Sequence, residues 1–147
     1  MATSFGKDTS CTDCLKTGRY VTGLRLVAEV LKSTAALVVG MRTGTIVLST
    51  DYADKMFGCK PGETLEQRNI DDLVPEEFRQ RHHDARVVYS ESPYSRYKTG
   101  LAAQKLDGTR FCVGILLRPI IWGGSEFVLT FVTNMVGHGL LNAEVEG

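Results

Sequence analysis

The sequence predicts an α+β domain: a five-stranded antiparallel sheet, a helical block on one face, and an N-terminal flanking helix. Three observations carry this. Apolar runs at 35–41 and 45–49 flank Arg42-Thr43-Gly44, which has turn chemistry, so the pair reads as a hairpin. Three further apolar runs, 99–106, 109–119 and 126–135, are joined by Asp107-Gly108 and by Trp122-Gly123-Gly124-Ser125. Between the two groups, apolar residues recur every three or four positions, the helical period. Hairpins at both ends with helices between them imply antiparallel strands and a helical layer on one side.

The elements follow in order. Residues 1–19 are polar and lack periodicity, so a flexible arm is expected. Its Cys11 and Cys14 have CxxC spacing, which supplies half a zinc site or a redox dithiol. No second pair follows, so incidental cysteines are the simpler expectation. Zinc shared between two copies is the only version with enough ligands. In residues 20–33, Val21, Leu24, Ala28 and Leu31 form an apolar stripe at helical spacing. Such a stripe must pack on its own domain or on a second copy, and a homodimer through this helix is expected.

After the first hairpin, 51–57 reads as a short helix stopped by Gly58. Pro61-Gly62 opens a loop. Residues 69–89 read NIDDLVPEEFRQRHHDARVVY. Pro75 suits a helix start because its fixed φ fits and its missing N–H has no partner there. Glu76 and Glu77 complement the helix dipole. Phe78, His82, Ala85 and Tyr89 recur at steps of four, three and four, one face of a helix. Arg79, His83, Arg86 and Ser90 fall on another face, which reads as solvated. His82 is therefore the polar group expected to meet whatever the domain holds inside. Along 109–119, Phe111, Val113, Ile115 and Leu117 share a face; along 126–135, Phe127, Leu129 and Phe131 alternate with Val128, Thr130 and Val132. Leu101, Ile115, Leu117, Leu129 and Phe131 are the strand residues expected to line an internal pocket. Residues 136–147 lose the alternation and are expected to form a tail.

Composition narrows the function. The 147 residues make one domain, long enough to bury roughly 70% of the unfolded chain's surface. Lys+Arg and Asp+Glu both number 17, so bulk charge draws the chain to neither nucleic acid nor an anionic membrane. Arg79, Arg81, Arg86, Arg96, Lys98 and Lys105 crowd the middle, and read as a solvated face balanced by acids. No apolar run reaches the roughly 18 residues of a membrane helix. No apolar leader precedes the arm, and Cys59 and Cys112 look like reduced small side chains, so the cytoplasm is expected. No phosphate loop, nucleophile elbow or H-E-x-x-H motif appears, and adjacent histidines on a helix diverge by about 100°, so neither an enzyme nor a metal cluster is expected.

Five phrases in order resemble a PAS domain: GTIVLSTDYADKMFG at 44–58, NIDDLVP at 69–75, RQRHHD at 79–84, KLDGTRF at 105–111 and FVLTFVTNM at 127–135. The resemblance spans residues 34–135. It implies five antiparallel strands cradling a pocket closed by the helical block, and a sensory or signalling module. Such modules couple the pocket to the outer sheet face, and so to a dimer partner or a protein effector in trans. A PAS domain acting purely through protein–protein contacts, without a cofactor, is the alternative. Many PAS domains carry Asn at the position of Thr50; Thr can cap the short helix too.

RQRHHD also resembles the helix of the rhizobial oxygen-sensor PAS domains, where a histidine after R-x-R ligates heme iron. That implies a heme-based gas or redox sensor with His82 as the axial ligand, and a neutral imidazole is a good heme ligand. Those sensors also place an arginine on the next strand; here the neighbourhood is Lys98-Thr99-Gly100-Leu101, with Arg96 nearby. Flavin photosensors resemble N-C-R-F-L-Q before the proline knuckle. Here Ile70 follows Asn69 and Cys59 lies ten residues earlier, so cysteinyl-flavin photochemistry is not expected. Flavin without that cysteine stays open.

Overall fold

The computed structural model describes residues 32 to 135. The arm with Cys11 and Cys14, the stripe of Val21, Leu24, Ala28 and Leu31, and the tail at 136–147 lie outside the described residues. Strands β1 (Ala36–Gly40) and β2 (Ile46–Ser49) form the first hairpin. Helix α1 (Asp51–Met56), 3-10 turns at Ile70–Leu73 and Glu76–Phe78, and helix α2 (Arg79–Glu91) make the helical layer. Strands β3 (Arg96–Gln104), β4 (Arg110–Trp122) and β5 (Ser125–Asn134) follow. All pair antiparallel in the order β2-β1-β5-β4-β3. The last strand thus sits beside the first and joins the two hairpin groups into one sheet.

Local chemistry sets the elements. Thr50 caps α1: its Oγ1 accepts from Ala53 N at 3.3 Å and from Ala36 N at 3.1 Å, and donates to Thr34 O at 2.6 Å. One hydroxyl therefore starts the helix and ties it to β1. Asp54 Oδ1 accepts from Ser49 Oγ at 2.6 Å and Leu65 N at 3.0 Å, which folds the following loop back over the core. Gly44 adopts φ +75° in the first turn, the left-handed region open to glycine. That turn also clasps the 69–75 knuckle: Ile70 N donates to Gly44 O at 2.8 Å and Asn69 Nδ2 to Thr43 O at 3.1 Å.

The core lies between the sheet and α1. Leu37, Ile46, Ala53, Phe57, Leu65, Leu73 and Phe111 are buried in it, with Phe57 and Phe111 edge to face at 5.4 Å between centroids. Among the described residues, no helix is long and apolar enough to cross a membrane.

Two strand details correct the sequence reading. Leu129 and Phe131 were expected inward; the register puts them on the outer face. Ile115 opposes Val132 and Leu117 opposes Thr130, and directly opposite residues share a face. Val128, Thr130 and Val132 are therefore the inward set, and all three are buried. Both parities of β5 are apolar, so alternation alone could not choose between them. The second detail is on β3. Its register against β4 shifts between Lys98 and Leu101, around Gly100 at φ +76°. Such a bulge inserts one residue and flips the parity of everything before it. Arg96, Lys98, Leu101 and Ala103 consequently oppose Leu117, Ile115, Val113 and Phe111, all on one face. Without the bulge, Arg96 and Lys98 would face away from Leu101.

Candidate functional site

A cavity of about 220 Å³ lies between the inner face of the sheet, the knuckle and α2. Of the expected lining, His82, Ala85, Tyr89, Leu101, Ile115 and Leu117 border it. Phe78 does not. The α-helix begins at Arg79, and Phe78 ends a separate 3-10 turn, so the four-residue step from Phe78 to His82 is not one continuous helical phase. Phe78 instead lies beneath the Arg81 guanidinium, 5.7 Å from its ring centroid. Leu129 and Phe131 are absent from the lining because of the β5 register.

The floor and deep wall are apolar: Leu37, Val39, Phe57, Leu73, Val113 and Val132. The α2 and β3 side is basic. Arg81, His82 and Arg86 come from α2, Arg96 and Lys98 from β3, and no carboxylate lines the cavity. The crowd of cations in the middle of the sequence is therefore not simply a solvated face. Helix periodicity missed Arg86, and the unseen bulge hid Arg96 and Lys98.

Asp71, in the knuckle, organises the polar side. Its Oδ1 accepts from His82 Nδ1 at 2.5 Å and Arg86 Nε at 3.0 Å, and its Oδ2 from Arg86 Nη2 at 2.8 Å. Asn69 Oδ1 fixes the turn by accepting from Asp71 N at 2.9 Å. Burial pushes the Asp71 carboxyl up, but the hydrogen bonds and charges of Arg86 and His82 outweigh it and hold the pKa at about 2. An ionised carboxylate only accepts, so His82 donates from Nδ1. Its Nε2 has no protein partner among the described residues. His83 Nδ1 lies 3.6 Å from Asp71 Oδ2 and 3.2 Å from Arg86 Nη2, so the second histidine belongs to the same cluster while staying half exposed. The face expected to be solvated is thus partly inward: Arg86 is only 16% exposed and Ser90 is buried. Arg86 also packs on Gly44, where an added Cβ would come within 2.7 Å of its Cζ.

The far end of α2 is tied by Tyr89, whose hydroxyl donates to Tyr94 O at 2.5 Å. Burial pushes that phenol's pKa up. The near end carries an exposed fork in which Arg110 donates to both Glu77 oxygens, which lowers the Glu77 pKa. Among the described residues, no group of three His, Cys, Asp or Glu side chains is placed to hold a metal ion.

No family model and no curated protein matches the sequence. Solved structures do match the fold. A PAS domain from a two-component sensor histidine kinase aligns over 78% of this chain and 98% of its own, with a TM-score of 0.57 and 14% identity. The PAS domain of an HTR-like protein from Haloarcula marismortui aligns over 79% of this chain and 98% of its own, with a TM-score of 0.58 and 16% identity. An RNA-binding Light-Oxygen-Voltage receptor aligns over 82% of this chain and 35% of its own, with a TM-score of 0.65 and 14% identity. The strand order, the helical layer on one face and these alignments agree: the chain adopts the PAS fold.

Proposed function

We propose that this is a sensory PAS module whose cavity takes a small ligand, and whose helix α2 passes that event to a partner. The observation that carries the reading is the cavity itself, roofed by a helix that polar groups tie to the rest of the domain. A ligand reaching His82 or Arg86 would compete with Asp71 and alter the tie on α2. Output would go through contacts with a second copy or with a protein effector.

The size of the cavity sets the ligand class. Pockets for drug-sized molecules run from roughly 300 to 1,000 Å³, so about 220 Å³ suits something smaller. The heme reading fits at one end only. His82, with Nδ1 held by a carboxylate, has the orientation of a metal-ligating imidazole with Nε2 as ligand. A cavity of about 220 Å³ is small for a whole porphyrin. A small ligand read by His82 is the reading that the cavity and the Asp71–His82 bond support best.

Amide chemical shifts of the full chain, titrated with toluene as a neutral probe, test this. Shifts concentrated at Ala85, Leu101 and Ile115, spreading along α2, are expected. A titration that moves no cavity residue would sink the reading. An absorption spectrum after expression with heme supplied tests the alternative: a Soret band that His82→Ala shifts or abolishes would restore it.

A further inference from the structure

We infer that the ligand is a small monoanion with an apolar body, its carboxylate bound between α2 and β3. The inference rests on the ligand-cavity reading above and adds the ligand's charge and shape. An apolar cavity of roughly 150 Å³ accepts benzene, so about 220 Å³ accommodates on the order of ten non-hydrogen atoms. One wall is aliphatic and aromatic, and every charged side chain in the lining is basic.

Pairing separates those cations into two groups. Arg86 is matched by the bidentate Asp71 carboxylate. Arg81, Arg96 and Lys98 form no ion pair with a carboxylate among the described residues. Cations gathered on one side of a low-dielectric cleft focus a positive potential into it. Arginine is suited to hold a carboxylate through two parallel hydrogen bonds. The bulge at Gly100 adds a second argument, because it turns Arg96 and Lys98 onto the cavity face beside Leu101. Among the described residues, this places two cations over an apolar wall without a matching acid. A ligand carboxylate would supply the match. Thr130, buried on the same wall and opposite Leu117, provides a hydroxyl.

Phenylacetate and phenylacetamide test this, since they share shape and differ in charge. Binding of each to the full chain would be measured by calorimetry and by amide shifts. Phenylacetate should bind roughly tenfold tighter, the ratio expected when a charge-assisted hydrogen bond replaces a neutral one. The preference should shrink at high salt and vanish in Arg96→Gln/Lys98→Gln, with Arg81→Gln as an independent variant and unfolding temperature as the control for folding. Equal binding of the two probes would overturn the anion inference and leave the cavity reading standing. A preference that persists unchanged in both variants would overturn this placement of the carboxylate. Failure of both probes, together with failure of toluene, would overturn the cavity reading itself.

Discussion

The two helices of the layer are held by different physics. Helix α1 and its loop add deep burial to their polar ties at Thr50 and Asp54: Ala53 and Leu65 are 0% exposed and Phe57 is 3% exposed. Helix α2 offers the core little. Ser90 is its one buried residue, and Val87 and Val88 are exposed. What fastens α2 is Asp71 at its middle, Tyr89 at its far end and the exposed Glu77–Arg110 fork beside its start. Apolar burial is insensitive to a ligand's charge, whereas a carboxylate shared by Arg86 and His82 is open to competition. Regions with few buried apolar contacts are also the ones that open at low free-energy cost. Under the proposed function, this difference would make α1 the scaffold and α2 the responding element.

The largest expected effect lies on the α1 side. Phe57→Ala removes a buried ring and its edge-to-face partner, and should cost about 3–5 kcal/mol in denaturant unfolding. A loss under about 1 kcal/mol would break the comparison, since α1 would then not be held by burial.

Next comes Asp71→Asn, which leaves Arg86 without its carboxylate and should cost about 2–3 kcal/mol. Amide exchange should quicken along α2 and stay unchanged in α1. Uniform quickening would mean the two helices open as one unit. The same variant has a pH signature. Asp71's pKa is lowered from 3.8 to about 2 in the folded state. Its contribution is therefore complete above pH 3.8 and is lost as pH falls through about 2. That contribution is at most about 2 kcal/mol, and less after solvent screening. Wild type should show this acid limb in unfolding experiments between pH 4 and pH 2, and Asp71→Asn should lack that share of it.

The smallest effect is expected at Val88, 67% exposed on the outer side of α2. Val88→Ser should change stability by no more than about 0.5 kcal/mol. A loss above about 1 kcal/mol would show that another part of the chain or a second copy covers that face.

How much was legible from sequence depends on whether the signal was local. Turn triplets and alternation located all five strands, because Arg42-Thr43-Gly44, Asp107-Gly108 and Trp122-Gly123-Gly124-Ser125 carry their own conformational instructions. Helical spacing turned His82, Ala85 and Tyr89 toward the cavity. It failed at Phe78 because a 3-10 turn breaks the phase there. It also treated Arg86 as solvated, because the acid that draws Arg86 inward lies 15 residues away. On β5, Leu129 and Val128 are equally apolar, so only pairing with β4 could assign the faces.

By itself, then, the sequence determined the element order, the antiparallel sheet and the histidine that meets the cavity, because period, turn residues and caps act over a few positions. The tertiary structure alone decided that Asp71 anchors His82 and Arg86. It also decided the inward face of β5 and the inward turn of Arg96 and Lys98. Each of these depends on a partner distant in sequence, or on a one-residue shift at Gly100 that reverses which face a side chain occupies.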